Sequence, residues 1–309
     1  MKILIVASYN KSRFAPFIVE QAEALRRAGC IIEFYGITGK GIRGYLKSLP
    51  SLKAKIAAFE PDIIHAHYGL SGLLSNLQRS VPVVTTYHGS DINEVKNRPF
   101  SCLSMWLSAW NIFVSQKTLS MMHPSSGYSL IPCGVDLSEI QLTGRNEARA
   151  IMGLSASEHY ILFAGAFDNA IKSPDLAKLC VSELDEDVKL IELKGYTREQ
   201  VTYLMCAADV FLLTSKMEGS PQVIKEAMLC GCPIVSTDVG DVSERISGLA
   251  GCYVSKSRDA KELSSLIKLA LAFKGRTKGR ARIKELGLDN SRVAEELLLI
   301  YALLCRRVS

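Results

Sequence analysis

Residues 210–228 read V-F-L-L-T-S-K-M-E-G-S-P-Q-V-I-K-E-A-M: an apolar run, a polar loop, then a helical pattern. Residues 210–214 are a short continuous apolar stretch, which predicts a strand buried on both faces. From 221 to 230, Val223, Ile224, Ala227 and Met228 recur at helical spacing, with Ser220 placed to cap and Pro221 suited to the first position. A buried strand passing through a tight loop into a helix is one βα unit. Such units build parallel sheets covered by helices.

The same alternation runs outward in both directions. Strands are predicted at 2–7, 31–37, 62–65, 83–87, 111–114 and 128–131, with helices at 16–28 and 45–59. After P-C-G-V-D a polar stretch at 137–145 has no periodicity and predicts a linker. The pattern then restarts, with strands at 160–164, 188–193, 210–214 and 233–236 and helices at 174–183, 197–207 and 221–230. An amphipathic helix at 291–304 follows. The expected fold is therefore α/β, with two Rossmann-like doubly wound domains, 1–140 and 146–290, facing across a cleft. Ligands of such sheets bind beyond the carboxyl ends of the strands.

Composition agrees with this reading and excludes others. A chain of 309 residues with 48% apolar residues is long enough for two ordinary domains. No apolar run approaches the roughly 20 residues that span a bilayer, and the chain opens directly on a strand, so a soluble cytoplasmic protein is expected. The nine cysteines are odd in number and scattered, which suits buried thiols in a reducing compartment. Cys230 and Cys232 form only C-x-C, so no metal is expected. The net charge of +6 has its one local concentration at 274–284, K-G-R-T-K-G-R-A-R-I-K, read first as a solvated helix face or loop and second as a contact for an anionic membrane or a phosphate-bearing acceptor. No nucleic-acid partner is expected.

Several motifs compete for function. Gly39, Gly41 and Gly44 match G-x-G-x-x-G, but after the second strand and with Arg43 and Tyr45 crowding the turn, so no dinucleotide site is expected. Asp185-Glu186-Asp187 precedes a strand, away from the ligand edge, and reads as an acidic turn. His65 and His67 end one strand, the first read as structural and the second as nearer substrate. His88, where V-P-V-V-T-T-Y stops in H-G-S-D, is expected in the cleft.

The opening stretch carries the sharpest prediction. Backbone N–H groups around Gly219, Ser220, Pro221, Gln222 and Val223 form a helix start that suits phosphate. Glu226, one turn inside, can accept two hydrogen bonds from a ribose diol, and Glu218, before the cap, faces a sugar's hydroxyls. Lys172, in A-G-A-F-D-N-A-I-K-S-P after the strand at 160–164, supplies the fixed cation. Lys194, Gly195 and Tyr196 follow the next strand and border the base.

With these residues in hand the chain resembles the retaining GT-B glycosyltransferases of family 4. The resemblance rests on the E-x7-E of Glu218 and Glu226 with E-G-S-P, on K-E-A-M-L-C-G-C-P-I-V-S-T-D-V-G-D-V-S-E, and on P-D-I-I-H-A-H-Y-G, H-G-S-D, I-P-C-G-V-D and G-A-F-x4-K. It implies a hexosyltransferase-type enzyme that needs no cofactor or metal and moves a sugar from a nucleotide-diphosphate sugar, UDP by family frequency, to a carbohydrate or lipid-linked acceptor. It also implies that Glu226 binds ribose, Glu218 addresses the donor sugar, Lys172 stabilises the leaving diphosphate and His88 contacts the donor sugar. The segment 291–309 would cross back onto the first domain.

Two local departures stand out. Ala166 occupies a position where the family often has arginine, leaving Lys172 as sole basic partner, and N-K-S-R-F replaces the usual Gly-Gly of the first loop. Asn10, Arg13 and Phe14 there, with His67, Tyr68 and Asp91, are expected on the acceptor side or cleft. Peripheral contact with the inner face of a membrane is a further expectation. The alternatives are a nucleotide-sugar 2-epimerase and a catalytically weakened binding protein of the same fold.

Overall fold

The computed structural model describes residues 1–10, 12–137, 143–185 and 187–306. Its strands form two wholly parallel sheets. The first contains β1 (Lys2–Ser8), β2 (Ile31–Ile37), β3 (Ile63–His67), β4 (Val83–Tyr87), β5 (Trp110–Phe113) and β6 (Tyr128–Leu130), in the order β2-β1-β3-β4-β5-β6. The second contains β7 (His159–Phe163), β8 (Val188–Glu192), β9 (Val210–Leu213), β10 (Ile234–Thr237) and β11 (Cys252–Ser255), in the order β11-β10-β9-β7-β8. The chain divides into two compact units, Met1–Val135 with Leu288–Ser309, and Asp136–Gly287.

In the first unit, β1, β3 and β4 are buried on both faces, although β3 carries His65 and His67 and β4 Thr85 and Thr86. On one face Ile3, Ile5 and Ala7 pack against Ile18, Ala22 and Leu25 of the helix Pro16–Arg27 and against Val293, Leu297 and Tyr301 of the helix Asn290–Arg306. On the other, Leu4 and Val6 meet Leu52 and Ile56 of the helix Leu49–Phe59 and Leu74 of the helix Gly69–Asn76. Each fully buried Leu or Ile contributes about 2 kcal/mol of transfer free energy, so the helix at 290–306 is part of this core rather than an appendage.

The second unit repeats the design. Ile161 and Phe163 of β7, Val210 and Leu212 of β9 and Val235 of β10 pack with Ala177 and Cys180 of the helix Pro174–Ser182 and with Leu263 and Ile267 of the helix Ala260–Ala272.

Some expectations needed correction. The helix expected at 45–59 is two helices, Gly41–Lys47 and Leu49–Phe59, because Pro50 lacks an N–H and is tolerated only in a first turn. The strand β11 and the helices Gly69–Asn76, Ser90–Asn93, Arg98–Leu107, Gln116–Met122, Arg145–Met152, Val242–Ile246, Ala260–Ala272 and Gly279–Glu285 were not anticipated. Arg145 thus begins a helix rather than ending the linker, of which residues 138–142 lie outside the described residues. The basic run at 274–284 is not simply solvated. Arg276 points inward, donating to the carbonyls of Met205 (2.6 Å), Cys230 and Ala208, and so satisfies the ends of two helices.

Candidate active site

In each sheet the strand order reverses once, between β1 and β3 and between β7 and β9, and the loops leaving those strands diverge there to open a crevice. In the second unit the two loops are the ones that carry the sequence's strongest signals. The loop after β7 runs through Gly165 and Ala166 to Lys172, and the loop after β9 carries Ser215, Glu218 and Gly219 into the helix Gln222–Leu229.

The two loops are joined by charge. Lys172 Nζ donates to Glu218 Oε1 at 2.6 Å, and Ser215 Oγ donates to the same oxygen at 2.7 Å, with both charged side chains largely buried. Gly165 makes this reach possible: a β-carbon there would stand 2.8 Å from Lys172 Cγ. The Thr214 hydroxyl donates to the carbonyls of Lys172 and Ser173, fixing the lysine's backbone to the end of β9.

The helix Gln222–Leu229 starts one residue later than expected, with Pro221 as its N-cap. Ser220 does not cap it. Its hydroxyl donates instead to Asp241 Oδ2 at 2.7 Å, and the Asp241 carboxylate is held in turn by Arg245 at 2.9 Å. The Ser220 side chain thus anchors the loop, while in the first turn Ile224 N–H donates to the Pro221 carbonyl at 3.2 Å and the N–H groups of Gln222 and Val223 have no preceding carbonyl within the helix. Glu226 lies on this helix with Arg198 Nη2 3.6 Å from Oε1. Burial pushes its carboxyl up, and the charges of Arg198 and Lys225 pull it part of the way back.

Three basic residues near the site were not anticipated. Arg198 stands beside Glu226. Lys225 is fully buried and donates to Gln222 Oε1 at 2.8 Å. Arg258 ties both loops together, donating to the Thr214 carbonyl at 3.0 Å and the Ser173 hydroxyl at 2.8 Å. Lys172 is therefore not the sole cation of this region. Lys225 was legible only as the neighbour of Glu226, and Arg258 lies too far along the chain to be linked to these loops by spacing.

The loop at 194–196 follows β8, the edge strand. Lys194 pairs with Asp168, Gly195 has a positive φ of 87°, and Tyr196 is exposed, before Thr197 caps the helix Arg198–Ala207. Asp185 is a solvated surface acid paired with Lys268 at 2.6 Å; Glu186 lies outside the described residues. Among the described residues no group of three or more His, Cys, Asp or Glu is arranged to hold a metal ion.

In the first unit the crevice between β1 and β3 is a cavity of about 480 Å³. Asn10, Arg13, Phe14, Tyr68 and Asp91 all line it, together with Tyr45 and Ser101 among others. Asn10 has a structural task as well: its amide pairs with the Gly39 peptide at 2.7 and 2.8 Å, tying the first loop to the glycine-rich one. Gly39 and Gly44 are packed against each other, which leaves no cradle between them. Lys11, in the same first loop, lies outside the described residues. Asp91 is buried and accepts backbone N–H bonds from Gly69 (3.0 Å), His88 (3.1 Å) and Gly89 (2.9 Å); burial nevertheless raises its carboxyl to about 6.

His67 and His88 do not line that cavity. They stack at 5.2 Å and share a hydrogen bond of 3.0 Å from Nδ1 to Nε2, while His88 Nδ1 meets Cys133 Sγ at 3.5 Å and its ring lies 4.6 Å from that of Tyr68. His65 is structural: Nδ1 meets the Tyr301 hydroxyl at 2.6 Å, Nε2 meets Thr86 Oγ1 at 2.7 Å, and burial lowers its pKa to about 3. His67 is also held neutral by burial.

Comparison with known proteins adds a family. The profile described as Glycosyltransferase Family 4 matches residues 14–139, and that described as Glycosyl transferases group 1 matches residues 149–272. A Bacillus subtilis glycosyltransferase named for teichuronic acid biosynthesis is 28% identical, covering 67% of this chain and 60% of its own length. The amylovoran biosynthesis glycosyltransferase of Erwinia amylovora is 25% identical, covering 68% of this chain and 61% of its own. The match thus spans about 60% of the length of these relatives. Among solved structures, sucrose-phosphate synthase of Thermosynechococcus elongatus superposes with a TM-score of 0.83 at 17% identity, covering 98% of this chain and 99% of that one. HepE of Anabaena in complex with UDP gives 0.77 at 16% identity, covering 98% and 100%. The UDP-GlcNAc 2-epimerase of Methanocaldococcus jannaschii gives 0.65 at 13%, covering 98% and 99%. At these identities the structural likeness speaks for the two-domain GT-B fold, which hosts more than one reaction.

Proposed function

The chain belongs to the group 1, family 4 glycosyltransferases, and from that premise we propose that it moves a sugar from a UDP-sugar to a carbohydrate or lipid-linked acceptor, with retention and without metal. The observation that supports this reading is the contact of Lys172 with Glu218, the latter in the loop that leads into the helix Gln222–Leu229, on which Glu226 lies.

The chemistry follows from charge. Cleaving the anomeric carbon–oxygen bond leaves negative charge on the diphosphate, and the new bond forms to the acceptor hydroxyl oxygen. The acceptor's proton passes to the departing phosphate oxygen. Lys172 and the helix start offset the developing charge, the role a metal would otherwise fill. Lys172 exchanges its contact with Glu218 for phosphate, which frees the Glu218 carboxylate to accept hydrogen bonds from the donor sugar. Glu226 takes the ribose diol, and the loop at 194–196 borders the base.

The cavity of the first unit is the acceptor pocket in this reading. Phe14, Tyr45 and Tyr68 offer apolar ring faces to a sugar, and Arg13 a cation to an anionic group on it. His88 is the substrate-facing residue of the strand-end loop after β4, with His67 behind it.

A panel of nucleotide sugars, read for diphosphate-nucleoside release, hydrolysis and epimerisation, tests the reading. UDP-sugar turnover with acceptor is expected; epimerisation without transfer would replace this reading. Lys172→Ala and Glu226→Ala are expected to lose transfer about 10²- to 10³-fold with unchanged circular dichroism, and full activity in both would remove the site assignment. Transfer that collapses on adding EDTA would remove the metal-free part.

A further inference from the structure

The helix Arg98–Leu107 is amphipathic in the inverted sense. Its two fully buried positions are serines, Ser101 and Ser104, with the half-buried Met105 packed beside them against Tyr87, Ile92, Phe113 and Met122. Ser101 Oγ donates to the Asp91 carbonyl at 2.8 Å, Ser104 accepts from the Tyr87 hydroxyl at 3.3 Å, and the Ser108 hydroxyl just beyond meets Thr85 Oγ1 at 2.8 Å. Ser101 and Ser104 press so closely on the helix Gly69–Asn76 that a β-carbon on Gly69 or Gly72 would fall within 2.3 Å of a serine oxygen.

The outer face is the apolar one. Pro99, Cys102, Leu103 and Trp106 fall at i, i+3, i+4 and i+7, one continuous stripe, and all four are exposed. Trp106 is 80% and Leu103 46% exposed, and Val95, just before the helix, is 77% exposed. Isolated exposed apolar residues are ordinary, but a full helical stripe with a tryptophan at its end marks a surface that something covers.

We propose that this stripe docks on the surface of an anionic lipid bilayer, lying in the interface with Trp106 and Leu103 inserted. Three observations choose lipid over protein. First, no Asp or Glu occurs between Glu94 and Asp136, whereas Lys96, Arg98 and Lys117 do, and Glu94 itself is paired with Lys96 at 3.2 Å, so this stretch of chain carries a net positive charge towards anionic headgroups. Second, a single short helical stripe falls well below the roughly 800 Å² per partner of a stable protein interface. A tryptophan-bearing helix with basic neighbours needs no such area to bind a bilayer surface. Third, the opposite side of the same segment, Asn97 and Ser101, lines the 480 Å³ cavity. A bilayer on the outer face thus sets that pocket one helix diameter from the lipid headgroups, where a lipid-linked acceptor presents its sugar. This third point rests on the acceptor reading of the pocket; the first two do not.

The test is flotation of the full chain with vesicles of zwitterionic lipid alone and with one-third anionic lipid, with no substrate present. Flotation with anionic vesicles is expected, weakened at least tenfold by Leu103→Ser with Trp106→Ser and severalfold by Lys96→Glu. In Trp110→Phe, which leaves Trp106 as the sole tryptophan, vesicles are expected to shift emission to the blue. Absence of flotation, equal flotation of the serine variant, or a dimer that the serine variant dissolves would each overturn the proposal. Turnover of a water-soluble acceptor, expected to be unchanged in the serine variant, separates failure here from failure of the transferase reading.

Discussion

Lys172 and Glu218 form a largely buried ion pair, so each depends on the other for charge balance. Removing one member strands the other, whereas removing both does not. Lys172→Met is therefore expected to lower stability by about 1–3 kcal/mol, and adding Glu218→Gln to restore most of it, read from urea midpoints as a double-mutant cycle. Asp91 sets a pH dependence. Its carboxyl titrates at about 6 in the fold against 3.8 when unfolded, so between those values the native state holds a proton that the unfolded state has lost. Stability then falls as pH rises from about 4 to about 6 and is flat on either side. Relative to Asp91→Asn, the wild-type chain is expected to lose about 2–3 kcal/mol across that window. Residues of this kind differ in how far sequence discloses them. Glu218 and Glu226 were legible because a helix start with flanking carboxylates is a local pattern. The spending of Ser220 on Asp241, of Asn10 on Gly39 and of His88 on His67 and Cys133 was not, since each partner is brought in by a different strand.

At the level of elements, the strands were legible to within two residues at either end because their apolar runs are continuous. Several elements escaped, among them the helices Gly69–Asn76, Gln116–Met122 and Ala260–Ala272, and two are instructive. β11, C-Y-V-S, is short and half polar. The helix Arg98–Leu107 has an apolar stripe at helical spacing, but the stripe faces outward and the buried positions are Ser101 and Ser104, so its sequence does not mark which face packs. The helix Asn290–Arg306 shows the reverse case, an apolar stripe that was read correctly but whose polar contribution was not. Its Tyr301 hydroxyl, 2.6 Å from His65 Nδ1, completes a buried chain to Thr86 on β4. Tyr301→Phe keeps the packing and orphans the imidazole. A loss of about 1–3 kcal/mol is expected, seen as a lower thermal midpoint with near-native circular dichroism.

For the whole molecule, the restart of the βα pattern after a polar stretch made the two-domain division legible. The second crossing, at Gly287 and Leu288, was not marked by composition, because the chain passes there directly from one helix to the next. The second unit is one uninterrupted span with its own core, so Asp136–Gly287 excised from the chain is expected to fold cooperatively and to bind UDP by calorimetry. The complementary fragment Met1–Val135 lacks Val293, Leu297 and Tyr301 from its core and is expected to remain partly unfolded. This arrangement has a consequence for biosynthesis. The first unit is translated first yet is completed last, so the apolar face of Ile3, Ile5 and Ile18 stays uncovered while the whole of the second unit is made. During that interval the growing chain presents a sticky half-core to its neighbours on the polysome. The second unit can finish folding on the ribosome, and the first must wait for it.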